Sequence, residues 1–200
     1  MVVGNSGTIY TSSDGTTWTS RTSGTSKYLN GVTYGNSTFV TVGISGTILT
    51  SPDNGTTWTS KTSGTTNELW GVTYANNTFV TVGYGGTILT SSDNGTTWTS
   101  RTSGTTNLLL GVNYGNSTFV TVGNSGTILT SSDGTTWTSR TSGTTNNLYG
   151  VTYGNSTFVT VGQSGTILTS SDGTTWTSRT SGTTNNLYGV TTTTTTLLAP

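Results

Sequence analysis

Two hundred residues with six basic and six acidic side chains, no histidine and no cysteine exclude much before any motif is read. The net charge is zero and the basic residues fall one or two to each stretch of about 40, so no clustered cationic surface is available for nucleic acid. Without Cys and His there are no disulfides, no thiol chemistry, and neither the commonest general base nor the commonest metal ligand.

The chain begins inside a repeat. Met1-Val2-Val3-Gly4 matches the end of Phe39-Val40-Thr41-Val42-Gly43. It lacks the charged start and apolar run of a signal peptide. No stretch approaches the ~18 apolar residues of a membrane span, so the chain reads as soluble with no membrane partner. Its wealth of Thr, Ser, Gly and Asn is compatible with an exported or surface protein. The next copy carries four strand-like segments, 28–34, 38–43, 46–51 and 56–62. Each is rich in Val, Ile, Thr and aromatic residues, with apolar and small polar residues alternating. Gly35-Asn36-Ser37, Ile44-Ser45-Gly46, Asp53-Asn54-Gly55 and Ser63-Gly64-Thr65 separate them as turns. Later copies begin their first strands near Glu68, Leu108, Asn147 and Leu187. No segment has the spacing of an amphipathic helix.

Four short strands in each ~40-residue unit predict an all-β chain: one repeat domain over 1–200, a five-bladed β-propeller of four-stranded antiparallel blades. A β-solenoid is the alternative, but its repeats are usually shorter and do not need an Asp-Gly hairpin in every copy. The ring is expected to close by strand exchange, with residues 187–191 docking beside Met1 to Gly4 to complete the first blade. A chain closed in this way is expected to be a monomer. The tail, 192–200, competes with Met1 to Val3 for one strand slot. It is expected to pair only partly, the alternative being that it takes the slot and displaces the first residues.

The pattern S-x-D-x-G-x-T-W, complete in Ser51-Pro52-Asp53-Asn54-Gly55-Thr56-Thr57-Trp58, recurs in five versions. Its tryptophans, Trp18, Trp58, Trp98, Trp137 and Trp176, are spaced 40, 40, 39 and 39 residues apart. The difference lies in the turn: Asp53 and Asp93 are followed by Asn-Gly, whereas Asp14, Asp133 and Asp172 are followed directly by Gly. Asp-Gly and Asn-Gly supply the positive-φ positions of a tight hairpin, and the Asp side chain can accept backbone N–H bonds across it. The Trp is placed on the following strand, where it can be buried between blades. These boxes resemble the Asp-box, or bacterial neuraminidase repeat, of sialidase-like β-propellers. The resemblance implies that each box joins the third and fourth strands of a blade.

The sialidase resemblance also raises the question of catalysis, since those enzymes use an arginine triad, an acid/base Asp and a Tyr activated by a Glu. Every Asp here lies in a box, leaving only Glu68 outside, so no free carboxylate pair remains for glycoside hydrolysis. Arg21, Lys61, Arg101, Arg140 and Arg179 share one repeat position on the outermost strand, where they are read as solvated charges that discourage edge pairing. No D-x-D-x-D run suits calcium. The chain is therefore read as no enzyme, without cofactor or metal, and the box Asp and Trp residues as structural.

The copies differ at few positions. One set lies at the first strand: Lys27, Tyr28 and Asn30; Glu68 and Trp70; Leu108 and Leu110; Asn147 and Tyr149; Asn186 and Tyr188. The other follows the second strand: Asn5, Ile44, Tyr84, Asn124 and Gln163. In an up-and-down blade both sets lie at one end near the axis, opposite the boxes. Asn30, Trp70, Tyr84, Asn124, Tyr149, Gln163 and Tyr188 are the candidate ligand-binding residues, their aromatic faces and amides suited to a glycan. Six N-x-S/T sequences, at Asn36, Asn54, Asn76, Asn94, Asn116 and Asn155, are read as turns, not glycosylation sites. Near-identical copies point to recent amplification or deliberate assembly. The functional reading is a non-catalytic structural or binding scaffold, with a lectin-like adhesion module as the alternative.

Overall fold

The computed structural model describes residues 1–192. Among them the chain forms nineteen strands in five antiparallel sheets and no α-helix. The first blade holds β1 (Val2–Val3), β2 (Ile9–Thr11) and β3 (Thr19–Arg21); the second holds β4 (Leu29–Gly35), β5 (Thr38–Gly43), β6 (Ile48–Ser51) and β7 (Thr59–Lys61). The third comprises β8 (Leu69–Ala75), β9 (Thr78–Gly83), β10 (Ile88–Ser91) and β11 (Thr99–Arg101), and the fourth β12 (Leu109–Gly115), β13 (Thr118–Gly123), β14 (Ile128–Ser131) and β15 (Thr138–Arg140). The fifth comprises β16 (Leu148–Gly154), β17 (Thr157–Gly162), β18 (Ile167–Ser170) and β19 (Thr177–Arg179). Strands neighbour one another in chain order within every blade, and the inner strands β4, β8, β12 and β16 pack side by side. This is a five-bladed β-propeller.

Residue chemistry explains both the segments that match expectation and those that shift. The 38–43 strand stands as expected. The third strand starts at Ile48 instead of Gly46, because residues 44–46 close a 3₁₀ turn in which Thr47 N–H reaches the Ile44 carbonyl at 3.1 Å. The fourth starts at Thr59 instead of Thr56, because the N–H groups of Thr56 and Thr57 are spent on the Asp53 carboxylate. Trp58 accordingly precedes the strand instead of lying on it. All six asparagines of the N-x-S/T sequences sit in left-handed turn positions, with φ between 44° and 60°.

Alternation along each strand builds the core. Val40 and Val42, joined by Ile48, meet Leu69, Phe79, Leu89 and Trp98 of the third blade. Val80, Val82 and Ile88 meet Leu109, Phe119, Leu129 and Trp137 of the fourth, and Val120, Val122 and Ile128 meet Leu148, Phe158, Leu168 and Trp176 of the fifth. Thr41, Thr81, Thr121 and Thr160 are fully buried, and each donates its hydroxyl at 2.8 Å to the carbonyl of Gly31, Gly71, Gly111 or Gly150. No buried side-chain polar atom among the described residues lacks a partner, so the polar threonines cost little. At the inner strands the backbones nearly touch: a β-carbon on Gly31 would stand 2.6 Å from the Trp70 carbonyl oxygen.

The arc is open. The first sheet contains β1, β2 and β3 only, and the expected docking of residues 187–191 beside Met1 to Gly4 is not made among the described residues. Residues 187–192 lie instead against the fifth blade. Leu187 donates to the Gly162 carbonyl at 2.9 Å, and the Thr192 hydroxyl to the Tyr153 carbonyl at 3.3 Å. The same bond seats the second blade's inner strand on the first blade, where Leu29 N–H donates to the Gly4 carbonyl at 3.0 Å, so residues 187–192 sit on the fifth blade as an inner strand does and pair with no second strand among the described residues. The competing tail strand expected from residue 192 lies, from residue 193 onward, outside the described residues.

The same geometry grades the cost of core truncation. Phe119 is fully buried between two complete blades, whereas Phe39 faces the incomplete first blade and is only half-buried. Phe119→Ala is expected to destabilise by about 3–5 kcal/mol and Phe39→Ala by roughly half as much or less. Urea unfolding followed by circular dichroism measures both; equal losses would show that the first two blades are as tightly joined as the others.

Candidate functional site

The box turns are the most chemically distinctive feature, and their geometry is that of a fastening. In the second blade Ser51 donates to Asp53 Oδ1 at 2.7 Å and accepts from Gly55 N–H at 2.9 Å. Thr57 gives its N–H to Oδ1 at 2.9 Å and its hydroxyl to Oδ2 at 2.7 Å, and Trp58 Nε1 donates to the Gly55 carbonyl at 3.1 Å. In the shorter boxes the partners move up the chain: Asp133 accepts from the N–H groups of Thr135 and Thr136 at 2.8 and 2.9 Å, and from the Thr135 hydroxyl. The extra Asn54 is absorbed as one more left-handed residue, φ 59°, beside Gly55, φ 83°. Insertion therefore lengthens the turn without breaking the carboxylate's bonds.

These bonds favour the ionised carboxylate. Thr57 N–H, then the Thr57 hydroxyl and Ser51, lower the Asp53 pKa to about 2. The Thr97 hydroxyl, then Thr97 N–H and Ser91, do the same for Asp93. Asp14, held first by Thr17 N–H, and Asp133 and Asp172, held first by the Thr135 and Thr174 hydroxyls, lie lower still. A carboxyl held so far below the ordinary ~3.9 is poorly suited to donate or accept a proton near neutral pH. The outer-strand cations are likewise occupied, with Arg21, Arg101, Arg140 and Arg179 donating Nε–H at 2.8–2.9 Å to a threonine hydroxyl of the adjacent strand.

The variable positions gather at the opposite end of the blades. The ladder register slips between Leu29 and Gly31, between Leu69 and Gly71, between Leu109 and Gly111, and between Leu148 and Gly150. Asn30, Trp70, Leu110 and Tyr149 are thus bulge residues, and a bulge re-aims its side chain out of the ladder. Because the inner strands pack side by side, these residues and Tyr188 form a row along the axial edge. Tyr149 and Tyr188 stack with centroids 5.0 Å apart and an interplanar angle of 22°. Trp70 and Tyr188 are exposed. Asn30 is tied down, its amide donating to Glu68 Oε1 at 3.2 Å and to the Leu69 carbonyl at 2.9 Å.

A second row lies on the 3₁₀ turns, of which the first four pack against the inner strand of the following blade. Exposed Tyr84 begins one turn and donates its N–H to the Glu68 carbonyl at 2.8 Å. Asn124 does the same to Leu108 at 2.9 Å, and Gln163 to Asn147 at 2.8 Å. Gln163 Oε1 also accepts from Asn147 N–H at 3.3 Å. The recurrent loop asparagines, which the sequence reading does not single out, brace this end: Asn67, Asn107 and Asn146 each donate at 2.8–2.9 Å to the threonine after the turn, at a repeat position where the second blade carries Lys27. Their recurrence at one repeat position was the available signal. Five equivalent shallow grooves also run between the outer strands and these turns, lined by Ser, Thr and Gly around one Arg or Lys each.

No protein-family model and no curated protein matches the chain. Solved structures do. YCF48 bound to a D1 peptide superposes with a TM-score of 0.68 at 20% identity, over 90% of this chain and 62% of that one. YCF48 from Cyanidioschyzon merolae gives 0.60 at 19%, over 76% and 56%, and the crystal structure of the computationally designed Ika8 protein 0.62 at 14%, over 78% and 49%. The chain thus spans about half to two-thirds of the length of these structures, and the likeness concerns the fold.

The box carboxylates set the acid response. Each folded pKa lies below the unfolded value, so the stabilisation is complete above about pH 4 and is lost as pH falls towards 2. The urea midpoint is expected to be flat from pH 7 to 5 and to drop below pH 4. Asp93→Ala should lower it at pH 7, with the gap from the parent narrowing as pH approaches 2. A gap that stays constant with pH would separate the box bonds from acid stability.

Proposed function

We propose that this chain is a non-catalytic repeat propeller that serves as a binding scaffold. The observation that carries the proposal is the distribution of sequence differences. The blades largely repeat one another in core, box and outer strand, with Tyr10, Pro52, Lys61, Ala75, Asn77 and Asn113 among the scattered differences, while most of the exceptions collect in two rows at one axial end. Scaffold positions are held constant by the packing they share, so ligand chemistry is free to vary only where side chains leave that packing. The box turns support an Asp-box assignment through their place between the third and fourth strands of each blade. The near-identity of the blades, together with a designed protein among the similar structures, supports recent amplification or design.

A glycan-binding, lectin-like module is the second reading, favoured by Trp70, Tyr84 and the Tyr149–Tyr188 stack, which offer aromatic planes beside amide side chains. A peptide is the natural comparison ligand, since one similar structure is that of YCF48 bound to one.

The test is a glycan array and a peptide array probed with the parent chain and with Trp70→Ala. A ligand on the axial end should lose about tenfold in affinity in the variant, corresponding to roughly 1.4 kcal/mol of stacking. Unchanged binding would move the ligand off this face. No binding on either array would leave a structural scaffold and remove the lectin reading.

A further inference from the structure

The two ends of the arc are the two halves of one interface, and we infer that a second copy of this chain joins them head to tail. The contact is already present four times inside the chain, where the second- and third-strand valines and isoleucine of one blade meet the leucines, box tryptophan and inner strand of the next. At the ends its halves stand uncovered. On the first blade Tyr10 is 39% exposed where its counterpart Leu49 is 2% exposed, Val2 is 46% exposed, and Trp18 is 42% exposed where the other box tryptophans are half-buried. On the fifth blade Val159, Ile167 and Thr169 are half-exposed where their counterparts Val120, Ile128 and Thr130 are buried.

The backbone is matched as well as the surface. The first blade lacks its inner strand: a β-carbon on Gly4 would meet nothing within 4 Å, whereas one on the equivalent Gly43 would lie 1.9 Å from the Tyr28 carbonyl oxygen. Residues 187–192 already follow the path of an inner strand, held by the Leu187–Gly162 bond and the Tyr149–Tyr188 stack, and no second strand pairs with them among the described residues. In the fifth blade Leu148 stands opposite Gly162, Gly150 opposite Val161 and Val151 opposite Thr160. One repeat further on, the same register sets Leu187 opposite Gly4 of the second copy, Gly189 opposite Val3 and Val190 opposite Val2. The second copy's β1, β2 and β3 then complete a four-stranded blade around a strand supplied by the first. Tyr10, Val2 and Trp18 of that copy cover Val159 and Ile167.

The occupant is a second copy because only a repeat of this sequence carries both halves in register, and because the chain's own two end faces do not cover each other, Tyr10 and Val2 being exposed on one and Ile167 partly exposed on the other. The contact is heterologous, so each added copy presents the same free end again.

Sedimentation of the 200-residue chain over a wide concentration range tests this. The apparent mass is expected to rise from 20.6 kDa to at least twice that value. Tyr10→Lys removes one face and Ile167→Asp the other. Each variant alone should sediment as a monomer, and an equimolar mixture, which keeps one intact face of each kind, should recover a dimer. Since the chain has no cysteine, Val2→Cys combined with Val190→Cys reports the register directly. A ladder of disulfide-linked multimers on a non-reducing gel is expected, and this readout does not depend on how the charged variants fold. A cross-linked species at monomer mass would show that the chain closes on itself and would overturn the inference. So would a monomer at every concentration, or Tyr10→Lys associating like the parent. An unrelated extended peptide that fills the slot and leaves the chain monomeric would do the same. None of these outcomes bears on the axial face, whose binding is read separately with Trp70→Ala.

Discussion

No blade of this propeller can hide its own apolar surface, and the rest of the structure follows from that constraint. A four-stranded sheet has two faces, and in the internal blades both are lined with Val, Ile, Leu, Phe or Trp. Only a neighbour on each side removes them from water. The need for close blade contact explains the glycines of the inner strand, which let one backbone approach the next. It also explains the small residues between the apolar ones: threonine can be buried at the inner layer because a glycine carbonyl lies within reach of its hydroxyl. So polar a composition builds a core by bonding its hydroxyls internally instead of excluding them.

The box turn answers a second demand of the same architecture. Each blade must reverse direction between its third and fourth strands without using up apolar residues needed for packing. The Asp carboxylate gathers N–H and hydroxyl donors from the residues just after it, and the Trp indole returns a bond to the turn glycine. One side of the loop is thereby fixed to itself, and the Trp ring is left free to lean on the preceding blade. Where that blade is missing, as for Trp18, the carboxylate keeps its backbone bonds, while the indole loses its apolar cover and does not make the bond to the turn glycine found in the other four boxes.

Much of this was legible in the sequence because repetition multiplies weak signals. One Thr-Phe-Val-Thr-Val segment is an ambiguous strand; several copies at a fixed period, each bounded by glycine turns, are a propeller. The placement of the boxes, the outer-strand cations and the left-handed asparagines followed from the same pattern. What was not legible depended on competition between bonds. Thr56 and Thr57 look like strand residues, yet their N–H groups bind Asp53 and the strand begins later. The bulge at Asn30, Trp70, Leu110 and Tyr149 leaves no mark in residue type, only in the fact that this position varies while its flanking Leu and Gly do not. The unpaired ends were hidden for another reason. Sequence shows how many blades there are and that the first lacks a strand, but not that residues 187–192 bond to the fifth blade while pairing with no second strand among the described residues.

Identity between blades has a consequence for function. If every interface is built from the same residues, the energy that joins the second blade to the third is of the same kind as the energy available where the fifth blade ends. Nothing in the core chemistry distinguishes the inside of the chain from its edge. Discrimination must come from the residues that break the repeat, most of which lie in the axial rows, with Tyr10 on the first blade where the other copies have Leu. A tyrosine carries a polar hydroxyl at the end of an apolar ring and tolerates a half-wet surface that a leucine does not. The aromatic exceptions Tyr10, Trp70, Tyr84 and Tyr188 thus stand on surfaces that the chain's own interior leaves exposed.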